Sequence, residues 1–284
     1  MAVIEIISTG VGLSVQDYGR PGWRRFGVPP GGVMDRSSAA AANRLLGNRI
    51  DAPVLEVLMQ GAKLRVLEDT WMAVAGADLG CAIAPWTARK VVAGTVLHFP
   101  MNRAGLWAYV AVPGGFDADR WFGSASVDAR NGLGQPLERG AQLSALTSAA
   151  SFGYERVGRR VLAAELQRDF LRPMEFELLP GPQFELFSER ARAQLVSAEW
   201  TVSPRSDRTG FRLEGPALDV PDSIRSEPVL PGSFQIPGNG LPIVTMVDGP
   251  TVGGYAKIAI LREADIDWLA QCRPGTKIGF NLYS

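Results

Sequence analysis

One stretch, Ser226 to Lys257, constrains this chain more than any other: SEPVLPGSFQIPGNGLPIVTMVDGPTVGGYAK. Two apolar runs, Ser233–Ile236 and Ile243–Val247, are punctuated by Pro231-Gly232 and by Pro237-Gly238-Asn239-Gly240. Proline fixes φ and glycine accepts positive φ, so the punctuation marks turns and the runs between read as short strands. The second strand runs straight into Asp248, Thr251, Gly253-Gly254, Tyr255 and Lys257. A carboxylate, a hydroxyl, a phenol and an ammonium therefore arrive together at a strand end, with Gln235 on the strand before it. The paired glycines let backbone N–H groups approach a ligand. The plainer reading is a sheet corner bearing surface polar groups, with Asp248 and Lys257 paired across a turn.

The same punctuation runs through the rest of the chain. Residues 3–8 read as a first strand. Residues 11–38 are rich in Gly and Pro and read mostly as loop, carrying Gln16, Asp17, Arg20, Arg24, Arg25 and Asp35. Asp17 and Arg20 are either binding groups on that loop or a pair that holds its shape. Asp35 is a helix N-cap, and the small-residue helix after it stops at Gly47. Its one polar interior residue, Asn43, is read as structural. From Val54 to Val112 we expect six short strands: VLEVLM, KLRVL, WMAVAG, GCAIA, TVLHF and WAYVAV. Glu56, in the first, either faces outward by alternation or is buried with a partner. The single histidine, His98, is read as a strand residue with no metal motif around it. Three glycine-led entries, at Gly94, Gly140 and Gly275, hint at related β-modules.

Composition shifts over residues 147–172, which places a linker there and divides the chain into 1–150 and 151–284, each β-rich. The second half begins with the strand MEFELLP and a helix around Gln183–Val196. Ser206-Asp207-Arg208-Thr209-Gly210 is a polar loop in which Arg208 or the nearby Arg212 can clamp a carboxylate. The alternative is an Asp–Arg turn pair. A short helix over Glu263–Gln271 and a strand over Lys277–Leu282 close the chain.

The chain carries 29 Lys+Arg and 29 Asp+Glu in 284 residues, a net charge of zero, which gives no nucleic-acid footprint. No apolar stretch reaches the ~20 residues that span a bilayer. MAVIEIISTG lacks the charged start of a signal peptide, and Cys81 and Cys272 read as free core thiols, so a cytoplasmic location is expected. Nucleotide loops, serine-nucleophile elbows and metal-ligand spacings are missing from the sequence. The groups that remain suit an amide, urea or carboxylate ligand, whose carbonyl needs N–H, Lys or Arg donors.

VQDYGRPGWRRFGVPPGGVMD, AANRLLGN, Leu55-Glu56, YVAVPGGF, SDRTGFRLEG, the organising stretch and AQCRPGTKIGF together resemble the allophanate hydrolase subunit 2 family. That family includes the C subunit of the bacterial 5-oxoprolinase, the Kip-type antagonist of a kinase inhibitor, and half of the carboxyltransferase domain of urea carboxylase. The resemblance implies a mainly β, cyclophilin-like β-barrel architecture in two packed β-rich modules with a few short helices. It also implies a hydrolase component, inactive alone, that opens the 5-oxoproline lactam with partner subunits: a homologous subunit 1-type β-rich protein and a lactam-hydrolase-like subunit. ATP would be used through those partners. The alternatives it implies are a biotin-dependent carboxyltransferase module, with biotin on a separate carrier, and a non-catalytic regulatory binder. The chain departs from the family pattern at Thr209, Pro250, Val252, Ala256 and Ala125, which removes amide and guanidinium donors. The expected site combines Asp248, Lys257 and Arg208 as catalytic candidates. Gln16, Asp17, Arg20, Asp207, Gln235, Thr251, Gly253, Gly254 and Tyr255 are its substrate-binding candidates. A cleft between the halves is its expected place.

Overall fold

The structure, a computed structural model, describes residues 2–147, 159–222 and 224–283. The chain divides into two compact units, Met1–Arg20 with Gly31–Leu171, and Pro21–Pro30 with Arg172–Ser284. The boundary expected at 150/151 lies outside the described residues. The described part of the expected linker, from Arg159 to Leu171, belongs to the first unit.

The N-terminal unit contains β1 (Ala2–Thr9), β2 (Gly12–Gln16), β3 (Val54–Leu58), β4 (Ala62–Val66), β5 (Thr70–Asp78), β6 (Thr87–Val91), β7 (Val96–His98), β8 (Ala104–Ala111), β9 (Phe116–Asp117), β10 (Gln142–Ala145) and β11 (Arg159–Val161). They form a five-stranded sheet, β7-β4-β1-β10-β9, and a six-stranded sheet, β11-β6-β5-β8-β3-β2. Both sheets feed one buried core: Ile4, Ile6, Leu64 and Leu97 from the first, Val15, Leu55, Val57, Met72, Val74 and Val110 from the second. Helix α1 (Arg36–Leu45) lies on β5 and β8. Asp35 caps it as expected, with Oδ1 accepting from Ser38 N at 2.9 Å. The close approach explains Gly76 in β5: an added Cβ would sit 2.5 Å from the Trp107 carbonyl oxygen and 3.3 Å from Ser38 Cβ. Asn43 donates to the Ala52 carbonyl at 2.9 Å, a structural role. Glu56 takes the buried alternative, accepting from Tyr109 Oη at 2.9 Å and Met34 N at 2.7 Å. Cys81 and Cys272 are both free, Cys272 buried and Cys81 partly so.

Three local expectations need correction. Residues 11–38 are not mostly loop at their start, because GLSVQ forms β2 on the edge beside β3. GCAIA is no strand: Gly80 turns the chain with its N–H on Asp78 Oδ1 at 2.9 Å. The strand there is β6, TARKV, whose charged residues hide it from a search for apolar runs. The helix expected over Gln183–Val196 is split into a 3-10 turn at Phe184–Leu186 and α2 (Glu189–Ser197). Ser188 makes the break, its Oγ capping α2 by accepting from Ala191 N at 3.1 Å.

The C-terminal unit contains β12 (Met174–Pro180), β13 (Trp200–Val202), β14 (Gly210–Glu214), β15 (Glu227–Pro228), β16 (Ser233–Ile236), β17 (Ile243–Thr245), β18 (Val252–Gly253), β19 (Ala256–Leu261) and β20 (Lys277–Leu282), with α3 (Glu263–Ala270). Seven strands close into a barrel, β12-β19-β16-β17-β14-β13-β20. Strand direction cannot alternate all the way round a ring of odd number, so one pairing must be parallel. It is β12 with β20, the first and last strands of the unit. Phe234 meets Phe280 edge-on at 5.0 Å and Phe176 meets Phe280 at 6.1 Å, all three buried. The fold is mainly β with a closed barrel, as the family resemblance implied. Among the described residues no helix is long and apolar enough to cross a membrane.

Candidate functional site

Strand register gathers a polar cluster on the barrel wall. The β16–β19 pairing sets Gln235 opposite Lys257, and the small β15–β18 ribbon sets Glu227 opposite Gly253. Lys257 is 2% exposed. Its Nζ lies 2.5 Å from Glu227 Oε1, and among the described residues it makes no other polar contact. Glu227 Oε1 also accepts from Gln183 Nε2 at 2.8 Å, and Gln183 Oε1 accepts from Lys257 N at 3.0 Å. The Lys257 ammonium, then the Gln183 amide, hold the Glu227 carboxyl below its usual range. Gln235 Nε2 donates to Thr245 Oγ1 at 2.8 Å. A Cβ on Gly253 would come within 2.9 Å of Gln235 Oε1 and 3.1 Å of Val229 Cγ2, so a larger residue there would displace the Gln235 amide. Thr251 is buried beside it, its carbonyl accepting from Val229 N at 3.0 Å. Gly254 lies against Ser226.

Arg208 and Asp248, expected to act separately, are partners. Nε to Oδ2 is 2.6 Å and Nη2 to Oδ1 is 3.1 Å, a bidentate pair. The backbone reinforces it, Asp248 N donating to Arg208 O at 3.0 Å. Asp207 holds the same loop, accepting from Thr209 N at 2.8 Å and Gly210 N at 3.1 Å. The alternative reading, a turn pair between Asp248 and Lys257, gives way among the described residues to Asp248 with Arg208 and Lys257 with Glu227. Tyr255 is half exposed and lines a cavity of about 220 Å³ with Arg205, Arg212 and Asn239.

The Gln16–Arg20 loop belongs to the N-terminal unit. There Asp17 is taken up by the loop at 124–126: its carboxylate accepts from Ser124 Oγ at 2.5 Å, Ser126 Oγ at 2.7 Å and Ala125 N at 2.8 Å. Gln16 Nε2 donates to Val127 O at 2.9 Å, and buried Arg20 donates to the Ser126 carbonyl. Ala125, one of the departures from the family pattern that the resemblance implies, is buried in the hydrophobic core. Asp17 also edges a cavity of about 270 Å³ with Arg49, Asp51 and Arg120.

The sequence singles out Lys257, Gln235 and Gly253, but not Glu227 and Gln183, which the fold sets beside Lys257. Glu227 opens the organising stretch, yet a lone carboxylate carries no signal until β15 pairs with β18. Gln183, by its neighbours in sequence, looks like the start of a helix.

A family model described as carboxyltransferase domain, subdomain A and B, matches residues 26–282. The chain is 33% identical to the 5-oxoprolinase C subunit of Escherichia coli (strain K12), over 98% of this chain and 90% of that protein. Among solved structures, TTHA0988 superposes with a TM-score of 0.88 at 33% identity, covering 99% of this chain and 56% of that one. This chain thus spans about half the length of that relative. The Kluyveromyces lactis urea carboxylase superposes with a TM-score of 0.90 at 28% identity, covering 100% of this chain and 27% of that one.

Proposed function

The chain belongs to the carboxyltransferase-domain family, subdomains A and B, and on that premise we propose that it is one component of an ATP-dependent 5-oxoprolinase. Its reaction would open the 5-oxoproline lactam to glutamate. One observation carries this reading: the match to the 5-oxoprolinase C subunit runs nearly end to end in both proteins, 98% of this chain and 90% of that one. The urea amidolyase of Saccharomyces cerevisiae, by contrast, is matched over 16% of its length.

The chemistry of the barrel cluster fits an amide substrate. A lactam carbonyl gains negative charge on its oxygen as the ring opens, and a buried ammonium is a strong donor to such a charge in a dry setting. Lys257 is that ammonium in our proposal. Glu227, held ionised, orients it, and Gln235 with the Gly253-Gly254 backbone supplies neutral donors or acceptors to the ring amide. Arg208 and Asp248 keep the adjoining loops in place. In this reading the reaction needs a homologous subunit 1-type β-rich partner and a lactam-hydrolase-like partner, with ATP used through those subunits.

A second reading is a carboxyltransferase module acting on a urea-like amide, with biotin delivered on a separate carrier. The observation that favours it is the superposition on urea carboxylase over the whole chain. Reconstitution separates the two. Purified chain is mixed with candidate partner subunits, ATP and 5-oxoproline, and glutamate is followed. In parallel it is mixed with carboxylated biotin carrier and urea. Glutamate formed only by the full mixture supports the first reading. Carboxyl transfer without lactam opening supports the second. Binding of a kinase inhibitor with neither activity would make the chain a regulatory antagonist, and turnover by this chain alone would refute its dependence on partners.

A further inference from the structure

The cavity beside Tyr255 is not used by the Lys257 cluster. Two hairpins build it within the C-terminal unit. One is β13–β14, with Arg205 in its turn and Arg212 on β14. The other is β16–β17, with the Pro237–Gly240 turn at its tip. Ladder bonds fix both walls: Ser203 N donates to Arg212 O at 2.9 Å, and Leu213 N to Pro242 O at 2.9 Å. The volume, about 220 Å³, is below the roughly 300–1,000 Å³ of drug-sized pockets and suits a small metabolite.

Its side chains are unbalanced in charge. Among the described residues neither the Arg205 nor the Arg212 guanidinium has an ion-pair or hydrogen-bond partner. Asn239 Oδ1 accepts from Leu241 N at 3.2 Å, which leaves its amide N–H groups as donors. Among the described lining residues Glu214 is the one carboxylate, and it takes the Ser203 hydroxyl on Oε1 at 2.6 Å. Both arginines are exposed, so water solvates them in the empty cavity, and their planar forks are shaped to engage an anion that enters it. Leu241, Pro242 and Ile243 give that anion an apolar floor, and Tyr255 an aromatic wall.

We propose that this cavity binds a small carboxylic acid that bears an amide-type N–H. The carboxylate engages Arg205 and Arg212, the carbon skeleton lies on Leu241 and Tyr255, and the N–H donates to Glu214. A phosphate dianion fits less well, because Glu214 repels the second charge and the apolar floor offers it nothing. The carboxylate subsite stands on the charges of the cavity, while the choice of 5-oxoproline as its preferred ligand rests on the reaction proposed above.

The test is binding to the full chain alone, without ATP or partners. Three probes are titrated by calorimetry and by NMR: 5-oxoproline, cyclopentanecarboxylate and inorganic phosphate. We expect saturable binding of both acids, 5-oxoproline the tighter, with shifts at Arg205, Arg212 and Tyr255. Arg212→Gln should weaken both acids about 10- to 100-fold, the loss expected for a charge-assisted hydrogen bond. Its melting temperature should hold, since Arg212 is exposed. Glu214→Gln should narrow the preference for 5-oxoproline over cyclopentanecarboxylate. Phosphate binding as tightly as either acid, an Arg212→Gln variant with unchanged affinity, or no saturable binding at millimolar ligand would each overturn the proposal. Because no turnover is measured, its failure is distinct from failure of the 5-oxoprolinase reading.

Discussion

Glu227→Gln should destabilise the C-terminal unit more than Lys257→Met, although both break the same pair. The Lys257 side chain is 3% exposed, and among the described residues its Nζ has only Glu227 Oε1, at 2.5 Å. Removing the carboxylate strands a buried ammonium, which in a fully buried pair costs about 3–5 kcal/mol. The Glu227 side chain is 37% exposed, so water reaches that end of the pair. An exposed pair is worth about 0–1 kcal/mol, and the expected cost of Glu227→Gln falls between, at about 1–3 kcal/mol. Lys257→Met removes the buried charge itself, fills most of the same volume, and leaves a carboxylate that water can solvate. Its cost should stay within about 1 kcal/mol. The double variant should resemble Lys257→Met alone, a non-additivity that a double-mutant cycle in urea reads directly. The sign of the pH dependence follows from the lowered Glu227 carboxyl. Its contribution is full above the ordinary value of 4.5 and disappears as pH falls through the lower folded value. The gap between wild type and Glu227→Gln should therefore close in acid. Equal costs for the two single variants, or a gap that stays constant in acid, would refute this account of the pair.

Four further outcomes are expected. In the reconstituted complex, Lys257→Met should lower lactam turnover on the order of 100-fold with assembly intact, as the steady-state rate will report. Tyr109, fully buried and raised well above 10.0 first by burial and then by Glu56 and Asp35, keeps its proton in the folded state. Stability should therefore fall as pH rises past the ordinary tyrosine range, and Tyr109→Phe should flatten that alkaline slope in denaturation curves. Gly76→Ala should cost about 1–3 kcal/mol in urea unfolding, because its Cβ meets the Trp107 carbonyl at 2.5 Å and φ is +89°. Ala125→Arg, at a position that is core here, should lower the melting temperature by burying a charge.

Much of the architecture could be read from punctuation. Pro231-Gly232 and Pro237–Gly240 bound β16 as expected, and Asp35 caps α1 with the bond its residue type predicts. The elements that escaped are those whose evidence is a neighbour. β2 and β6 are strands because β3 and β5 pair with them, not because GLSVQ or TARKV is apolar. The site divides in the same way. The polar residues of the candidate cluster stand within one stretch of the sequence, but their partners could not be read there. Gly210 opposite Thr245 in the β14–β17 ladder carries Arg208 to Asp248, and Glu227 opposite Gly253 in the β15–β18 ribbon carries Glu227 to Lys257. A slip of one residue in either register would send these side chains to the other face. Arg208 and Arg212 make the point within a single loop and strand. They are four residues apart and interchangeable as carboxylate clamps on sequence grounds. The ladder places Arg208 where Asp248 already occupies its fork, and turns Arg212, with Arg205, toward an open cavity. Which arginine remains available to a ligand is decided by register, and register is a property of two strands rather than of either sequence.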